Sequence, residues 1–357
     1  MNFKCYDTIV VGAGPAGTTT ARKLAQEGQA VLLIDQANFP RDKHCGGLIS
    51  IKALEALDLE IPTEIIYNSI YQITLYSHKM KSSVYDKGNV LGVTVDRKEF
   101  DQYLLTKAIG QGVNFYKESK FLYLEKEKEG IKVFTSQGVF KCKTLVGCDG
   151  IHSKIKKYVN KDNFLNDYAK GFAVSQLIGT NGNIPKDFKL FSLPIPFSMG
   201  WAIPKGNEVN VGLGGPAFYN KKIIKYMSKY VEDIKNIYPG SYHRNKVRAS
   251  FLPAGGFVRK IQRDNILLAG DAAGFVDPLT GEGVYYAIIT GKLAAEKIIS
   301  NRLTDYEESC HRFFHKQLRD SLIFNLISYK KGYTEISIMR ERLCRKFGKM
   351  IQDYGIF

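Results

Sequence analysis

The sequence predicts an α/β fold: a Rossmann-like core, interleaved with a mixed or antiparallel β-sheet and followed by a helical C-terminal region. Three observations predict it. A short β-branched run near the N-terminus breaks into a glycine turn, then a helical segment, a second apolar run and an acid. Two later apolar runs also end on glycine and aspartate, at Gly147-Cys148-Asp149-Gly150 and at Gly270-Asp271. Elsewhere the chain alternates apolar and polar residues in strand fashion, punctuated by glycine and proline.

Composition sets the outer bounds. The chain has 357 residues, 44% hydrophobic and 24% charged, the proportions of a soluble globular protein with room for two or three domains. No apolar run reaches the roughly 20 residues of a spanning helix. Residues Met1 to Asp7 lead straight into a strand and lack a secretory pattern, so a cytoplasmic protein is expected. Six cysteines are scattered and none forms a CxxC pair. Free thiols are therefore expected, with no disulfide framework and no metal site. The 51 Lys and Arg against 35 Asp and Glu give a net charge of +16. That charge suits an anionic membrane surface, a phosphorylated substrate or an acidic protein, or serves solubility alone. No nucleic-acid recognition motif accompanies it, and no nucleic-acid partner is expected.

The first fifty residues carry the sharpest signal. Tyr6 to Val11 reads as a buried parallel strand, Gly12-Ala13-Gly14-Pro15-Ala16-Gly17 as a turn, and Thr18 to Gln26 as a helix. Ala30 to Ile34 is the next strand and Asp35 follows it. In such a unit Gly12 permits the tight turn, Gly14 lets the backbone approach a pyrophosphate and Gly17 lets helix and strand pack closely. The helix start offers free N–H groups and a partial positive charge to phosphates. Asp35 stands where an acid accepts hydrogen bonds from ribose hydroxyls. A dinucleotide cofactor follows; the turn alone does not separate a nicotinamide from a flavin.

Two further segments decide between them. Thr144 to Val146 ends a strand that runs into Gly147 to Ser153. Asn265 to Ala269 is an apolar strand closing on Gly270-Asp271, and the small-residue helix Val284 to Ile299 follows after a loop. Asp271 can bind a ribityl hydroxyl, and that helix start can face the electron-rich edge of a flavin or the pyrophosphate. In this order the three segments resemble the FAD-binding fingerprints of the p-hydroxybenzoate-hydroxylase-type flavoproteins. Within that superfamily the chain resembles the geranylgeranyl reductase family. Phe39 to Gly47 is similar to its PxxKxCGG segment, and Gly270 to Gly283 to its GDAAGFxxPxxGEG pattern. Gly200-Trp201-Ala202-Ile203-Pro204, running on to Gly214-Gly215, is similar to its YxWxFP and glycine-rich pair. Met199 replaces the tyrosine of that motif and Ile203 its phenylalanine, both at positions that line the family's substrate cavity.

The resemblance implies FAD as cofactor. Carried over by position, its ligands are Gly12, Gly14, Pro15, Ala16, Gly17, Asp35, Gln36, Arg41, Cys45, Gly46, Arg97, Asp149, Gly150, Gly270, Asp271, Pro278, Gly281, Gly283 and Val284. Arg97 opens a helix capped by Asp96 and continuing toward Ile109; the alternative is a surface arginine. The resemblance places Cys45, Gly46 and Gly47 beside the isoalloxazine ring as the catalytic segment, where Cys45 either assists protonation or is inert packing. His44 and His152 are proton donors by type only. Phe197, Met199, Trp201, Ile203, Gly214 and Gly215 are the implied substrate-binding residues. Phe191 and Leu193 join them in one apolar cluster that is either a tunnel lining or ordinary core.

The implied activity is hydride transfer from reduced flavin to an isoprenoid C=C bond. The alternatives are a flavin monooxygenase or halogenase, and a non-catalytic flavin redox sensor at a membrane. Monooxygenases of the fold commonly carry histidine and asparagine where this chain has Gly274 and Val284. The external reductant is NAD(P)H or a ferredoxin; the positive charge suits an acidic electron donor. The expected organisation is a discontinuous FAD-binding domain (residues 1–69, 92–160 and 255–300). Residues 70–91 and 161–254 would form a substrate-binding domain, and residues 301–357 a C-terminal helical region. Within the last, Ile336, Met339, Leu343 and Phe347 recur at helical spacing among Arg340, Arg342, Arg345 and Lys346. This is either a basic amphipathic helix on an anionic membrane or a terminal helix with a solvated basic face.

Overall fold

The computed structural model describes residues 3–77, 80–86, 88–160, 170–179, 184, 186–238, 246–254 and 260–330. The chain begins with β1 (Lys4–Val11), α1 (Pro15–Gln26) and β2 (Val31–Ile34), then crosses to β3 (Leu48–Ser50), α2 (Ile51–Leu57) and β4 (Ile66–Ile70). It runs out through β5 (Gln72–Tyr76) and β6 (Ser82–Asp86) and returns in β7 (Gly92–Val95) and α3 (Arg97–Ile109). Next come β8 (Asn114–Tyr116), β9 (Phe121–Glu127), β10 (Gly130–Thr135), β11 (Gly138–Gly147) and the short α4 (Lys156–Val159). A run of longer strands follows: β12 (Gly171–Gly179), β13 (Phe188–Ser192), β14 (Met199–Lys205) and β15 (Glu208–Pro216). After α5 (Asn220–Lys235) comes β16 (Arg248–Leu252), then β17 (Gln262–Arg263), β18 (Ile266–Leu268), α6 (Val284–Ile299) and α7 (Tyr306–Lys330).

Among the described residues these strands form three sheets. In the first, β18, β11, β1, β2 and β8 lie side by side and parallel, with β17 antiparallel at one edge and the β9–β10 hairpin folded onto β11. β1 is the hub: β2 and α1 lie to one side in sequence, and β11 joins from far along the chain on the other. That reversal of strand order opens a crevice beyond the carboxyl ends of β1 and β11, where open α/β sheets bind ligands. The second sheet runs β16-β12-β15-β14-β13-β5-β6 and is antiparallel except for the parallel pair β13–β5, so it is mixed. Helix α5 covers its back, burying Ile223, Met227, Tyr230, Val231 and Ile234. The third sheet is the small β3-β7-β4 layer, which packs with α2, α3 and α6 around Ile49, Val93, Phe100 and Ile288.

Helix α1 starts three residues earlier than the residue pattern suggests. Pro15 at its first position has no N–H to lose and a preset φ, so the proline-glycine stretch becomes the first turn instead of a loop. The close approach of this helix to the sheet has a visible cause. Gly12 adopts φ +103°, and a Cβ there would lie 2.2 Å from the Cys148 carbonyl oxygen. A Cβ on Gly17 would lie 1.8 Å from the Gly12 carbonyl oxygen. The strand end and the helix start therefore touch backbone to backbone.

Strand alternation decides between the two open readings for Phe191, which belongs to the core. Phe191 does not share the face of Leu190; its ring stacks on Tyr76 at 4.8 Å and meets Tyr230 edge-on behind the second sheet. Neighbours on a strand face opposite ways, so Leu190 and Phe191 cannot both line one chamber. The basic segment around Arg340 to Phe347 lies outside the described residues.

The backbone contact at Gly17 predicts a stability effect. A G17A variant must displace α1 from β1 and loses about 2 kcal/mol of unfolding free energy, within the range for overpacking. Urea unfolding of the apoprotein measures this; an unchanged midpoint would show that the contact is not tight.

Candidate functional site

One cavity of about 1110 Å³ runs from the glycine turn, past the Arg41–Gly47 segment, to the face of the second sheet. Every residue singled out from the sequence as a cofactor, flavin-side or substrate group lines it, except Gly17. Gly17 is instead the packing contact beneath the turn.

The polar half is built around two helix ends. Helix α1 has Gly14 as its N-cap and no capping side chain or acid in its first turn. Its first N–H groups therefore open toward the cavity without a side-chain acceptor. Helix α6 has Gly283 as its N-cap, again with no capping side chain and no acid in the first turn. Both ends line the same cavity. Asp35 hangs over the turn from the end of β2: its Oδ2 accepts from the Ala13 N–H at 2.7 Å and its Oδ1 from the Ala37 N–H at 2.8 Å. Each oxygen keeps a further lone pair for a hydroxyl. At the end of β11, Asp149 Oδ2 accepts from the Lys154 N–H at 2.8 Å, while its buried Oδ1 has no partner among the described residues. Burial pushes the Asp149 carboxyl above its ordinary range, against hydrogen bonds from Ser153 and from backbone N–H groups.

The wall between the two halves is a buried charge cluster. Arg97 is buried and donates to both oxygens of Asp101, one turn along α3, at 2.8 and 3.0 Å. Arg41 reaches the same carboxylate at 2.9 Å and lies over the Phe39 ring. Burial opposes the charge on Arg97, but Asp101 and Cys45 together outweigh it and hold the guanidinium firmly protonated. Arg97 also stands within hydrogen-bonding reach of the Cys45 sulfur, which accepts from the Gly47 N–H at 3.4 Å. Arg97 is thus an interior residue of the cavity wall and not a surface arginine. Asp271 faces the cavity with its carboxyl pushed upward by burial, while Lys43 and Arg97 pull it back down.

His44 fixes the segment from the other side. Its two ring nitrogens meet Ser250 Oγ at 3.0 Å and Ser175 Oγ at 2.7 Å, tying the loop to strands β16 and β12. Burial, Lys43 and Arg248 all lower its pKa, so the ring is neutral near pH 7. His152 lies on the cavity wall, edge-on to Phe251.

The apolar half is walled by Leu190, Ile195, Phe197, Met199, Trp201 and Ile203, with Gly214 and Gly215 beneath. Trp201 lies flat on β15, where a Cβ at Gly212 would come within 2.2 Å of its ring. Its Nε1 donates to Asn210 Oδ1 at 2.8 Å. The one polar tip of the ring is therefore spent on the neighbouring strand. Gly46 is closed in by the Ile203 Cδ1, 2.7 Å from where its Cβ would be. Leu322 and Asn325 of α7 complete the rim, and Asn325 donates to the Pro278 carbonyl at 3.0 Å.

Sequence reasoning did not find Asp101, Ser50, Ser175, Ser250, Leu322 or Asn325. Asp101 alone left a signal, four residues after Arg97 on one helix face. The serines are ordinary strand residues until the fold brings them to His44 and Glu282.

The donor set fits FAD: two uncapped helix ends, a ribose-side carboxylate and an orphaned buried acceptor line one cavity. Comparison with known proteins agrees. Residues 5–166 match the family model of an FAD binding domain. An uncharacterised protein of Methanosarcina barkeri is 33% identical over 304 residues, 84% of this chain and 76% of that protein. A digeranylgeranylglycerophospholipid reductase of Methanococcus vannielii is 28% identical over 361 residues, 95% of this chain and 90% of the relative. A geranylgeranyl bacteriochlorophyll reductase-like protein from Thermoplasma acidophilum superposes with a TM-score of 0.82 at 23% identity. The match covers 94% of this chain and 91% of that one, and it shows the shared fold. Flavin-dependent halogenases share the fold too, at lower identity.

Two variants test the polar half. Gly14 has only Arg41 near its Cβ direction, at 3.5 Å. G14A therefore leaves apoprotein unfolding unchanged but weakens FAD retention at least tenfold, read by flavin fluorescence on dilution. D101N strands two arginines and costs about 3 kcal/mol in urea unfolding, the scale for breaking a buried ion pair; a wild-type midpoint would show the cluster is solvated.

Proposed function

The chain belongs to the geranylgeranyl reductase family of FAD-dependent oxidoreductases, and we propose that within it this protein reduces C=C bonds of a polyprenyl lipid. The observation that carries the proposal is the two-part cavity: a polar half that fits FAD opens without a break into a half walled by apolar side chains. An isoprenoid chain offers no hydrogen-bonding handle. It is held by burial, at about 25 cal/mol per Å² of apolar surface, so a wall with no free polar tip is what it requires. The bond from Trp201 to Asn210 removes the polar tip of the largest side chain from that wall.

Bound FAD supplies the hydride chemistry; the residues supply position and charge. Gly12, Gly14, Pro15 and Ala16 form the phosphate end, with Gly17 packing beneath it, and Asp35 and Gln36 the ribose end. Arg41, Arg97, Asp149, Gly150, Gly270 and Asp271 line the middle, and Pro278, Gly281, Gly283 and Val284 the floor before α6. Cys45, Gly46 and Gly47 stand where the two halves meet. Glycines there let backbone come close to a flat ring, and the Cys45 thiol is held in direction by Gly47 and Arg97. His44, with both nitrogens engaged, acts as a positioning residue for this segment.

Two lines support a lipid over a small aromatic substrate. The Methanococcus vannielii relative carries the name of a reductase of digeranylgeranylglycerophospholipid. The +16 charge suits approach to an anionic membrane from the cytoplasm, and equally an acidic electron donor such as a ferredoxin in place of NAD(P)H. No helix among the described residues is long and apolar enough to cross a membrane.

The test is direct. The purified protein should show a bound-flavin spectrum; after anaerobic reduction, a geranylgeranyl lipid should reoxidise it and gain two hydrogens per double bond. Reoxidation by oxygen alone would instead favour a monooxygenase or halogenase, and no turnover with either a redox sensor. M199E, which places a charge in the apolar half, should keep the flavin spectrum and lose lipid-driven reoxidation.

A further inference from the structure

Reducing a C=C bond needs a proton as well as a hydride. The hydride pair, from reduced FAD, forms one C–H bond and leaves the flavin oxidised. The π pair then forms the second C–H bond with a proton, and the group that gave the proton is left as its conjugate base. We propose that Glu282 is that proton donor, passing its proton through the Ser50 hydroxyl into the cavity. The inference rests on the alkene-reducing reading above and names the group that completes it.

Glu282 lies in the loop before α6, and both it and Ser50 line the cavity. Ser50 follows the Cys45–Gly47 segment by only three residues, at the end of β3. Its Oγ caps α2 by accepting from the Ala53 N–H at 3.3 Å, and it shares a short hydrogen bond with Glu282 Oε1. In the structure the Ser50 hydroxyl donates to Glu282 Oε1; when that oxygen carries the proton the bond reverses and Glu282 donates to Ser50. Both lone pairs of the hydroxyl are then occupied, and its own proton is free to point into the cavity. Release of that proton and transfer from Glu282 to Ser50 are one concerted shift along two hydrogen bonds.

The loop also decides which acid keeps a proton. Asp277 Oδ1 accepts from the Leu279 and Thr280 N–H groups at 2.9 Å each and from Thr280 Oγ1 at 3.1 Å. The Asp277 N–H in turn donates to the Glu282 carbonyl at 2.9 Å. Two neighbouring buried carboxyls do not both ionise readily. Burial pushes the Asp277 carboxyl up as well, but the Ser321 and Thr280 hydroxyls and the Leu279 and Thr280 N–H groups all pull it back down, which equips it better to carry charge. Glu282, with one hydroxyl partner, is equipped to keep the proton. The other groups facing Glu282 are Lys52 on α2, which favours its ionisation, and the phenols Tyr285 and Tyr286 on α6. Burial pushes the Glu282 carboxyl up to about 8; Ser50 and Lys52 pull it down and Asp277 pushes it further up. The acid is thus loaded below that pH and empty above it.

Among the other acidic or thiol groups on the wall, Asp35 accepts from the Ala13 and Ala37 N–H groups, Asp42 pairs with Arg248, and Cys45 is engaged by Gly47 and Arg97. Burial also raises Asp149, Asp271 and Cys148, but none of these is hydrogen-bonded to a hydroxyl of the β3 end as Glu282 is.

The experiment uses the FAD-loaded protein, with E282Q and S50A as variants. In infrared spectra the wild type should show a protonated-carboxyl band that fades as pH rises through about 8. E282Q should lack that band and S50A should keep it. In anaerobic single turnovers with geranylgeranyl lipid, the wild-type reoxidation rate should fall over the same pH range. E282Q should be slower by about 100-fold and flat with pH, the low end of what general acids contribute. S50A should be slow but still pH-dependent. A titrating band that survives in E282Q, or an E282Q rate that keeps the wild-type pH profile, overturns the proposal. Failure of the lipid to reoxidise even wild-type protein removes the substrate reading and the destination of the proton. The infrared titration decides separately whether Glu282 holds one.

Discussion

The cavity depends first on three backbones meeting without side chains between them: the end of β1 at Gly12, the end of β11 at Cys148 and the start of α1 at Gly17. Any Cβ in these gaps would fall inside another residue's carbonyl group. The contact sets the helix close above the crevice between parallel strands, so its unpaired N–H groups face the crevice and not solvent. Asp35 then locks the turn from the neighbouring strand by accepting from Ala13. With no acid in the first turn of α1 or α6, the two helix ends are short of negative charge, the complement of an anionic cofactor such as FAD.

The second constraint is electrostatic. Arg41 and Arg97 share a single fully buried carboxylate, Asp101. Two cations on one anion leave a net positive charge in the wall, next to the Cys45–Gly47 segment. Arg41 keeps partial access to solvent, and Asp271 faces Arg97 across the cavity, which temper that charge. It is better matched when an anionic cofactor lies against it. The same cluster joins the loop at Arg41 to helix α3, parts of the chain that are some sixty residues apart in sequence, so cofactor binding and local folding share one set of contacts.

What the sequence made legible follows from how far each interaction reaches along the chain. The glycine turn was readable because all of its parts, from Tyr6 to Asp35, are local and each has a fixed spacing. Helix α6 was readable to its ends because small residues and its N-terminal glycine mark it. The pairing of Arg97 with Asp101 needed only the helical period. By contrast, His44 with Ser175 and Ser250 joins residues more than a hundred positions apart, and a lone serine on a strand has no signature. The side of β13 on which Phe191 falls was left open for a related reason: tunnel lining and ordinary core look alike in an apolar cluster until a strand assigns alternate residues to opposite faces. Glu282 had a motif position but no visible partner, since Ser50 reaches it only through the fold.

A cavity that is polar at one end and apolar at the other creates a particular problem at the join. An isoprenoid chain filling the apolar half would exclude water there, so solvent would not serve as the proton source during the transfer itself. The proton must be stored in the wall, and the store must be uncharged beforehand, because a charge at that position would repel the apolar chain. A buried carboxyl beside a second, better-solvated-by-hydrogen-bonds carboxyl meets both demands. Asp277 carries the charge away from the cavity, bound by its own loop, and Glu282 remains neutral at its edge. Once Glu282 has given up its proton, the same burial and the same neighbour make the carboxylate unfavourable, so it is driven to take another before the next substrate enters. The physical feature that raises its affinity for a proton therefore also resets it.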